Sequence, residues 1–180
     1  MKNIFIGICL FLNICFLQAQ TPNYYRNPDR IYLDSKEGHQ GDFVWKMYKA
    51  GDVKESAEKI SQPGYSTSQW LPAIVPGTVL NSLVHNKVYP EPYYGMNKKL
   101  DKNIIPDLAK VGRDFYTYWF RTEFNVPQSY QGKGVWLQVD GINYRAVIWV
   151  NGHLLGNMSG MFKPDYIDIT DFAHIGQKIA

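Results

Sequence analysis

The chain reads as an antiparallel β-sandwich carrying one short helix, and three observations say so. Short strand-like runs, rich in aromatic, branched and threonine residues, recur with turn signals every 8–12 residues or so. Only one stretch, after Thr78, has convincing helical spacing. Near the C-terminus a strand, an Asn-Gly pair and a second apolar run follow one another, the strongest short-range signal for a tight hairpin.

Taken in order, Asp42-Phe43-Val44-Trp45-Lys46-Met47 reads as a first strand. Residues 54–60 form a weak helical or turn segment before the breaker Pro63-Gly64. In Trp70-Leu71-Pro72-Ala73-Ile74-Val75-Pro76-Gly77-Thr78, two prolines prevent a central strand or a helix interior. Thr78 then caps a helix whose Val79, Leu80, Leu83 and Val84 share one face, with Asn86 as its stop. Tyr89-Pro90-Glu91-Pro92-Tyr93-Tyr94-Gly95-Met96-Asn97 is an irregular, shaped loop. Residues 115–124, 135–139 and 146–150 are further strands, and Asn151-Gly152 turns the last into a hairpin. Tyr166-Ile167-Asp168-Ile169-Thr170 alternates as a half-buried strand does. Gly176 and its successors read as a turn into a strand that does not arrive, so the sandwich is expected to lack its last strand.

The N-terminus is of a different material. Lys2 precedes an almost unbroken apolar run from Ile4 to Leu17, and Leu17-Gln18-Ala19-Gln20 offers a small residue for cleavage. Residues 1–20 therefore read as a secretory signal peptide, residues 21–40 as a polar, extended lead-in, and residues 41–180 as the sandwich. The apolar run, about 14 residues, is short of the about 20 that a membrane span needs. Cys15 follows Leu12-Asn13-Ile14, where a lipid-attachment box wants a small residue. The expected product is secreted or periplasmic, with no membrane contact after cleavage.

Both cysteines, Cys9 and Cys15, lie in that signal, so the mature fold must rest on its hydrophobic core without disulfides. A hydrophobic fraction of 45% and a charged fraction of 19% suit a globular domain. A net charge of +3 with no basic run gives no sign of a nucleic-acid partner. His39, His85, His153 and His174 are scattered, and no metal site or other cofactor is expected. The chain is rich in aromatics, with 13 Tyr and 5 Trp. Most should be core, Trp119 and Trp149 among them, although such rings also form platforms on which sugars stack.

Several of these stretches together resemble the N-terminal domain of glycoside hydrolase family 2. They are Val75-Pro76-Gly77-Thr78-Val79-Leu80, the tyrosine loop through Asn97, and Tyr118-Trp119-Phe120-Arg121-Thr122-Glu123-Phe124. They continue in Asp140-Gly141-Ile142-Asn143-Tyr144-Arg145-Ala146, Trp149-Val150-Asn151-Gly152, Gly160-Met161-Phe162-Lys163-Pro164 and Asp168-Ile169-Thr170. The likeness covers residues 43–180 and is greatest to the exo-β-glucosaminidase and glycoprotein endo-β-mannosidase branch. It implies a jelly-roll, galactose-binding-like sandwich set beside an immunoglobulin-like domain and a TIM barrel, both absent from this chain. Family members are retaining β-glycosidases whose two glutamates, about 5–5.5 Å apart, sit on the barrel. β-Mannosides, β-glucosaminides and β-galactosides, in that order, are the implied substrates.

The chain itself shows no acidic pair at a forcing spacing and no serine in a nucleophile elbow, so no catalytic residue is assigned. Binding is another matter. The resemblance implies that the loop through Asn97 reaches the terminal sugar subsite. The Asn97 amide offers a donor and an acceptor to paired hydroxyls; otherwise it closes a turn. Tyr94 stacks or hydrogen-bonds beside it, or else packs in the core. Glu91, between two prolines, is exposed and orients the loop. Asn151-Gly152 needs only turn chemistry to explain it, and His153 should be solvated. Met161 and Phe162 pack against a neighbouring domain or cover the sandwich's own end. Three functions fit: a substrate-positioning domain of a secreted glycosidase that acts on a β-linked glycan, a free-standing carbohydrate-binding module, or an interaction sandwich with no sugar affinity.

Overall fold

The computed structural model describes residues 27, 29–39, 41–95 and 104–180. The signal peptide read in residues 1–20, and Asn97, lie outside them. The chain divides into two units, Met1–Ile31 and Tyr32–Ala180. In the first, Asn27 folds back on its neighbours: its side chain accepts the Asp29 amide at 2.9 Å and its carbonyl the Arg30 amide at 3.0 Å.

Among its described residues the second unit holds nine strands, and every ladder in it is antiparallel. Strand β1 (Lys46–Lys49) lies between β2 (Leu71–Pro72) and β3 (Tyr118–Arg121), with Met47 opposite both Leu71 and Phe120. β2 is short and at the sheet edge, as its proline requires. Strand β4 (Phe124–Asn125) pairs with β9 (Lys178–Ile179), β5 (Trp136–Val139) with β8 (Asp165–Asp168), and β6 (Ile142–Val150) with β7 (His153–Gly160). Two apolar clusters fill the interior. Met47, Ala73 and Leu83 centre one, joined by Trp45, Tyr89, Tyr116 and Tyr118. Val126, Val150, Ile169, Ala173 and Ile179 centre the other, backed by Leu137 and Ile167.

The expected helix forms as α3 (Val79–His85). Thr78 Oγ1 accepts the Asn81 amide at 3.0 Å, and Asn86 closes the far end. It is not alone. Single helical turns form at α1 (Lys36–His39), α2 (Ala57–Ile60) and α4 (Leu108–Val111). Four residues are too few to print a helical period on a sequence, and each turn is begun instead by an oxygen just before it. Ser35, Ser56 and Asp107 accept the amides of Gly38, Lys59 and Ala109 respectively. Part of the segment read as an extended lead-in is thus helical, and Ser35 within it is buried.

The single strand expected over residues 115–124 is divided. A 3₁₀ turn occupies Arg113–Tyr116, then β3 joins one sheet and β4 another. The break falls at Thr122, whose hydroxyl donates to Val44 O at 3.0 Å as the chain changes partner. The hairpin is as the sequence indicates: Asn151 and Gly152 both have positive φ, 49° and 87°. The turn expected at Gly176 leads into a two-residue strand, Lys178–Ile179, where Ile179 is buried against β4.

Candidate functional site

Two tyrosines hold the two feet of the loop that follows α3. Tyr89 packs into the Met47–Leu83 cluster, which draws the chain off the helix end. Val88 N donates to Leu83 O at 2.9 Å, and Asn86 Nδ2 to Pro72 O at 2.8 Å, fixing that exit. At the other foot, Tyr116 Oη donates to Pro106 O at 2.6 Å while its ring joins the same cluster. Burial raises the phenol pKa of Tyr89, and of Tyr116 and Tyr118 beside it. These three hydroxyls stay protonated through the physiological range.

Between the feet the chain makes a tight turn. Glu91 is exposed, and its carboxylate accepts the Tyr93 amide at 3.1 Å while its carbonyl accepts the Tyr94 amide at 3.3 Å. Gly95 leaves the turn at φ 57°, a left-handed conformation that costs glycine little. Locked in this way, the turn displays both rings: Tyr93 is 83% and Tyr94 78% exposed. The core-packing alternative for Tyr94 does not hold. Of the three residues singled out in the sequence, Glu91 and Tyr94 come together on this turn. Asn97 is outside the described residues.

A second constellation was not singled out. Arg121, only 8% exposed, donates through Nε to Ile60 O at 2.9 Å and through Nη2 to Gln62 O at 2.7 Å. The same Nη2 binds Glu123. Glu123 also accepts the Gly64 amide at 2.6 Å and approaches Lys178 Nζ at 3.3 Å. Burial raises the Glu123 pKa, but the hydrogen bonds from Arg121 and Gly64 outweigh it and hold the carboxyl below its ordinary value. A shallow depression of about 440 Å³ lies here, bordered by Lys46, Tyr65, Arg121, Glu123 and Lys178. Arg121, Glu123 and Lys178 are spent on one another and on backbone, so the cluster clamps α2 and the turn after it to β3, the start of β4 and β9. An arginine and a glutamate two apart in an aromatic strand was the available signal, since such a pair shares one face.

Among the described residues no group of three or more His, Cys, Asp or Glu could hold a metal ion. Nor is any described helix long and apolar enough to cross a membrane. The site offers two presented rings, a carboxylate that sets their turn, and a base packed at Tyr89 and Tyr116.

A family model described as glycosyl hydrolase 2 galactose-binding domain-like matches residues 45–179. A mannosylglycoprotein endo-β-mannosidase of Lilium longiflorum is 40% identical over 112 residues, which is 62% of this chain and 11% of that enzyme. An exo-β-D-glucosaminidase of Amycolatopsis orientalis is 29% identical over 120 residues, 65% of this chain and again 11% of the enzyme. Among solved structures, a complex of the Amycolatopsis orientalis exo-chitosanase CsxA with PNP-β-D-glucosamine superposes with a TM-score of 0.63 at 26% identity. It covers 77% of this chain and 15% of that one. The chain thus spans about a tenth of the length of these two curated relatives.

Proposed function

The chain belongs to the galactose-binding-like, N-terminal domain family of the family 2 glycoside hydrolases, and from that membership we propose that it positions substrate for a retaining β-glycosidase whose catalytic barrel is encoded elsewhere in the same polypeptide. The observation that carries this is the turn at Glu91, which holds Tyr93 and Tyr94 out from the sandwich on a base anchored at both feet. Two large exposed rings side by side on one turn support a binding role for it. A sugar presents an apolar C–H face to such a ring and hydroxyls to a neighbouring carboxylate, here Glu91, while the Asn97 amide is proposed from the sequence alone.

The names of the two relatives support a β-linked mannose or glucosamine as the sugar, with β-galactosides next. Residues 1–20 have the make-up of an export signal, which supports a secreted or periplasmic enzyme. Immunoglobulin-like and TIM-barrel domains are the proposed partners within the polypeptide.

The reading is tested on the product of the gene read past the Ala180 codon. That product should hydrolyse a p-nitrophenyl β-mannoside or β-glucosaminide, and the 180-residue chain alone should not. Tyr94→Ala and Asn97→Ala should each lower kcat/KM by at least about tenfold, the loss expected when one good contact to the transition state goes. Variants with parental kinetics would refute substrate positioning. A stop codon after Ala180 would refute the hydrolase and leave the free-standing binding module.

A further inference from the structure

Strands β5 and β8 turn unlike faces to the two sides of their ladder. Leu137 and Ile167, opposite one another, pack inward against the Val150–Ile169 cluster. On the outward side the register sets Trp136 opposite Asp168 and Gln138 opposite Tyr166. Trp136 and Tyr166, each 58% exposed, therefore stand diagonally across the ladder, within reach of one ligand. Each ring faces a planar polar group, giving a chequer of two aromatics and two hydrogen-bonding side chains. Both polar groups are held in place: Gln138 Nε2 donates to Asp140 Oδ1 at 2.6 Å, and Thr170 Oγ1 to Asp168 Oδ1 at 2.6 Å.

This platform runs into a hollow. A depression of about 460 Å³ is bordered by Lys133, Gly134, Thr170 and His174. A methyl group placed on Gly134 would lie 3.6 Å from Trp136 Nε1 and 3.7 Å from Thr170 Oγ1. Gly134 and Thr170, which border the hollow, thus lie beside the indole N–H, so ring face, N–H and hydroxyl lie close together at its edge.

The outer face of a half-solvated antiparallel sheet is ordinarily polar, so the two rings call for a reason. A protein partner is best met by a continuous apolar centre with a polar rim. Alternation of rings with planar donors and acceptors suits a ligand that itself alternates. A β-linked pyranose chain does so: its axial C–H bonds are weakly positive and meet the negative ring faces, while its equatorial hydroxyls meet amide and carboxylate. The site also rests on the Val150 cluster, whereas the Tyr93–Tyr94 turn is footed in the Met47 cluster.

We propose that the outward face of β5 and β8, with the hollow beside Trp136, is a second carbohydrate-binding site that takes a β-linked oligosaccharide independently of the Tyr93–Tyr94 turn. Such a site would hold the protein on a polymer while a chain end is processed elsewhere.

The test is a titration of the ¹⁵N-labelled 180-residue chain with three probes: the β-1,4-linked hexamers of glucose, mannose and glucosamine. At least one should move the Trp136 indole N–H and Gly134 amide signals saturably, leaving Tyr93 and Tyr94 in place. Trp136→Ala and Tyr166→Ala should each weaken that binding by at least about tenfold, the equivalent of one good ring contact, with unchanged melting temperatures. The proposal fails if none of the three probes shifts these signals or if both variants bind like the parent. Shifts confined to Tyr93 and Tyr94 would overturn the second site while supporting the positioning role. Concentration-dependent broadening of Trp136 without sugar would make the face a self-association surface and likewise overturn it.

Discussion

Ser82 Oγ accepts the amide of Ile74 at 3.0 Å from a side chain with no solvent exposure at all. The next amide, that of Val75, is accepted at 3.0 Å by Ser35 Oγ, and Ser35 N returns a bond to Val75 O at 2.7 Å. The segment between Pro72 and Pro76 cannot complete a sheet ladder, because its prolines lack donors. Two serines, one from α3 and one from before α1, satisfy it instead. Gly38 lies so close to the Val75 carbonyl that any Cβ there would overlap it.

Ser82→Ala should therefore destabilise the chain by about 1–3 kcal/mol, the cost of leaving a buried amide unpaired. Ser35→Ala should cost a similar amount, and both should show in urea denaturation as a lower midpoint with the slope unchanged. Midpoints equal to the parent's would mean that water reaches Ile74 and Val75, which the burial of Ser82 speaks against.

Arg121 donates to two backbone carbonyls and to the Glu123 carboxylate. Arg121→Ala strands the carbonyl of Ile60, leaves that of Gln62 with the Tyr65 amide alone, and leaves Glu123 with only Gly64 and Lys178. Breaking a buried pair from one side costs about 3–5 kcal/mol. Arg121→Lys should recover only a part, since an ammonium cannot reproduce the guanidinium fork. Glu123→Gln, which keeps an acceptor for Gly64, should cost less than Arg121→Ala. Thermal unfolding of the three variants ranks them directly.

The same clamp gives stability a pH dependence. Burial opposes ionisation of Glu123, but Arg121 and Gly64 prevail and hold its pKa below the ordinary 4.5. The folded state therefore binds that proton more weakly than the unfolded chain does. Its stabilising share is complete above pH 4.5 and fades as pH falls through the folded-state pKa. Melting temperatures of the parent and Glu123→Gln should differ at pH 7 and converge as pH drops toward about 2. A constant gap down to that pH would show that Glu123 is not the group titrating.

What the sequence made legible, and what it hid, follows from the range of the forces involved. Helix α3 and the β6–β7 turn were plain because their causes are local: a threonine three residues before the amide it caps, and two residues tolerant of positive φ. The division of residues 115–124 was not, because Thr122 turns toward Val44, 78 positions away. Arg121 was hidden for the same reason, its carbonyl partners lying about sixty residues upstream. The tyrosine loop stands between these cases. Its composition announced an irregular shape, but which rings face inward depends on Tyr89 and Tyr116 meeting in one cluster.

The hairpin turn offers a cleaner test of local strain. Gly152 has φ 87°, and a Cβ there would run into the end of the Gln62 side chain and lie 3.3 Å from Glu58 O. Gln62 can swing aside, but the backbone conformation remains costly for any L side chain. Gly152→Ala should lose about 1–2 kcal/mol. Asn151→Ala should lose a comparable amount, because Asn151 Oδ1 also accepts the Ala180 amide at 3.0 Å and so ties β9 to the hairpin. Asn151→Gly separates the two effects: it relieves the strain and keeps only the loss of that bond. Hydrogen exchange at Ile179 and Ala180 should then rise while the β6–β7 amides stay protected.

The tyrosines themselves provide the sharpest division between holding the site and using it. Tyr89 packs against Met47 and Leu83, whereas Tyr94 meets solvent over most of its surface. Tyr89→Ala removes a large ring from a cluster, and the change should cost about 3 kcal/mol, at the lower end for buried aromatics because the ring is only partly enclosed. Tyr94→Ala touches nothing in the core and should stay within about 0.5 kcal/mol of the parent. If the turn positions sugar, the stable variant is the one that loses substrate: in the longer gene product Tyr94→Ala should keep its melting temperature and lose kcat/KM. Tyr89→Phe should keep both, since the ring alone fills the cluster. A drop in melting temperature for Tyr94→Ala would mean that the ring packs against another part of the polypeptide, and the exposed turn would then be a domain contact.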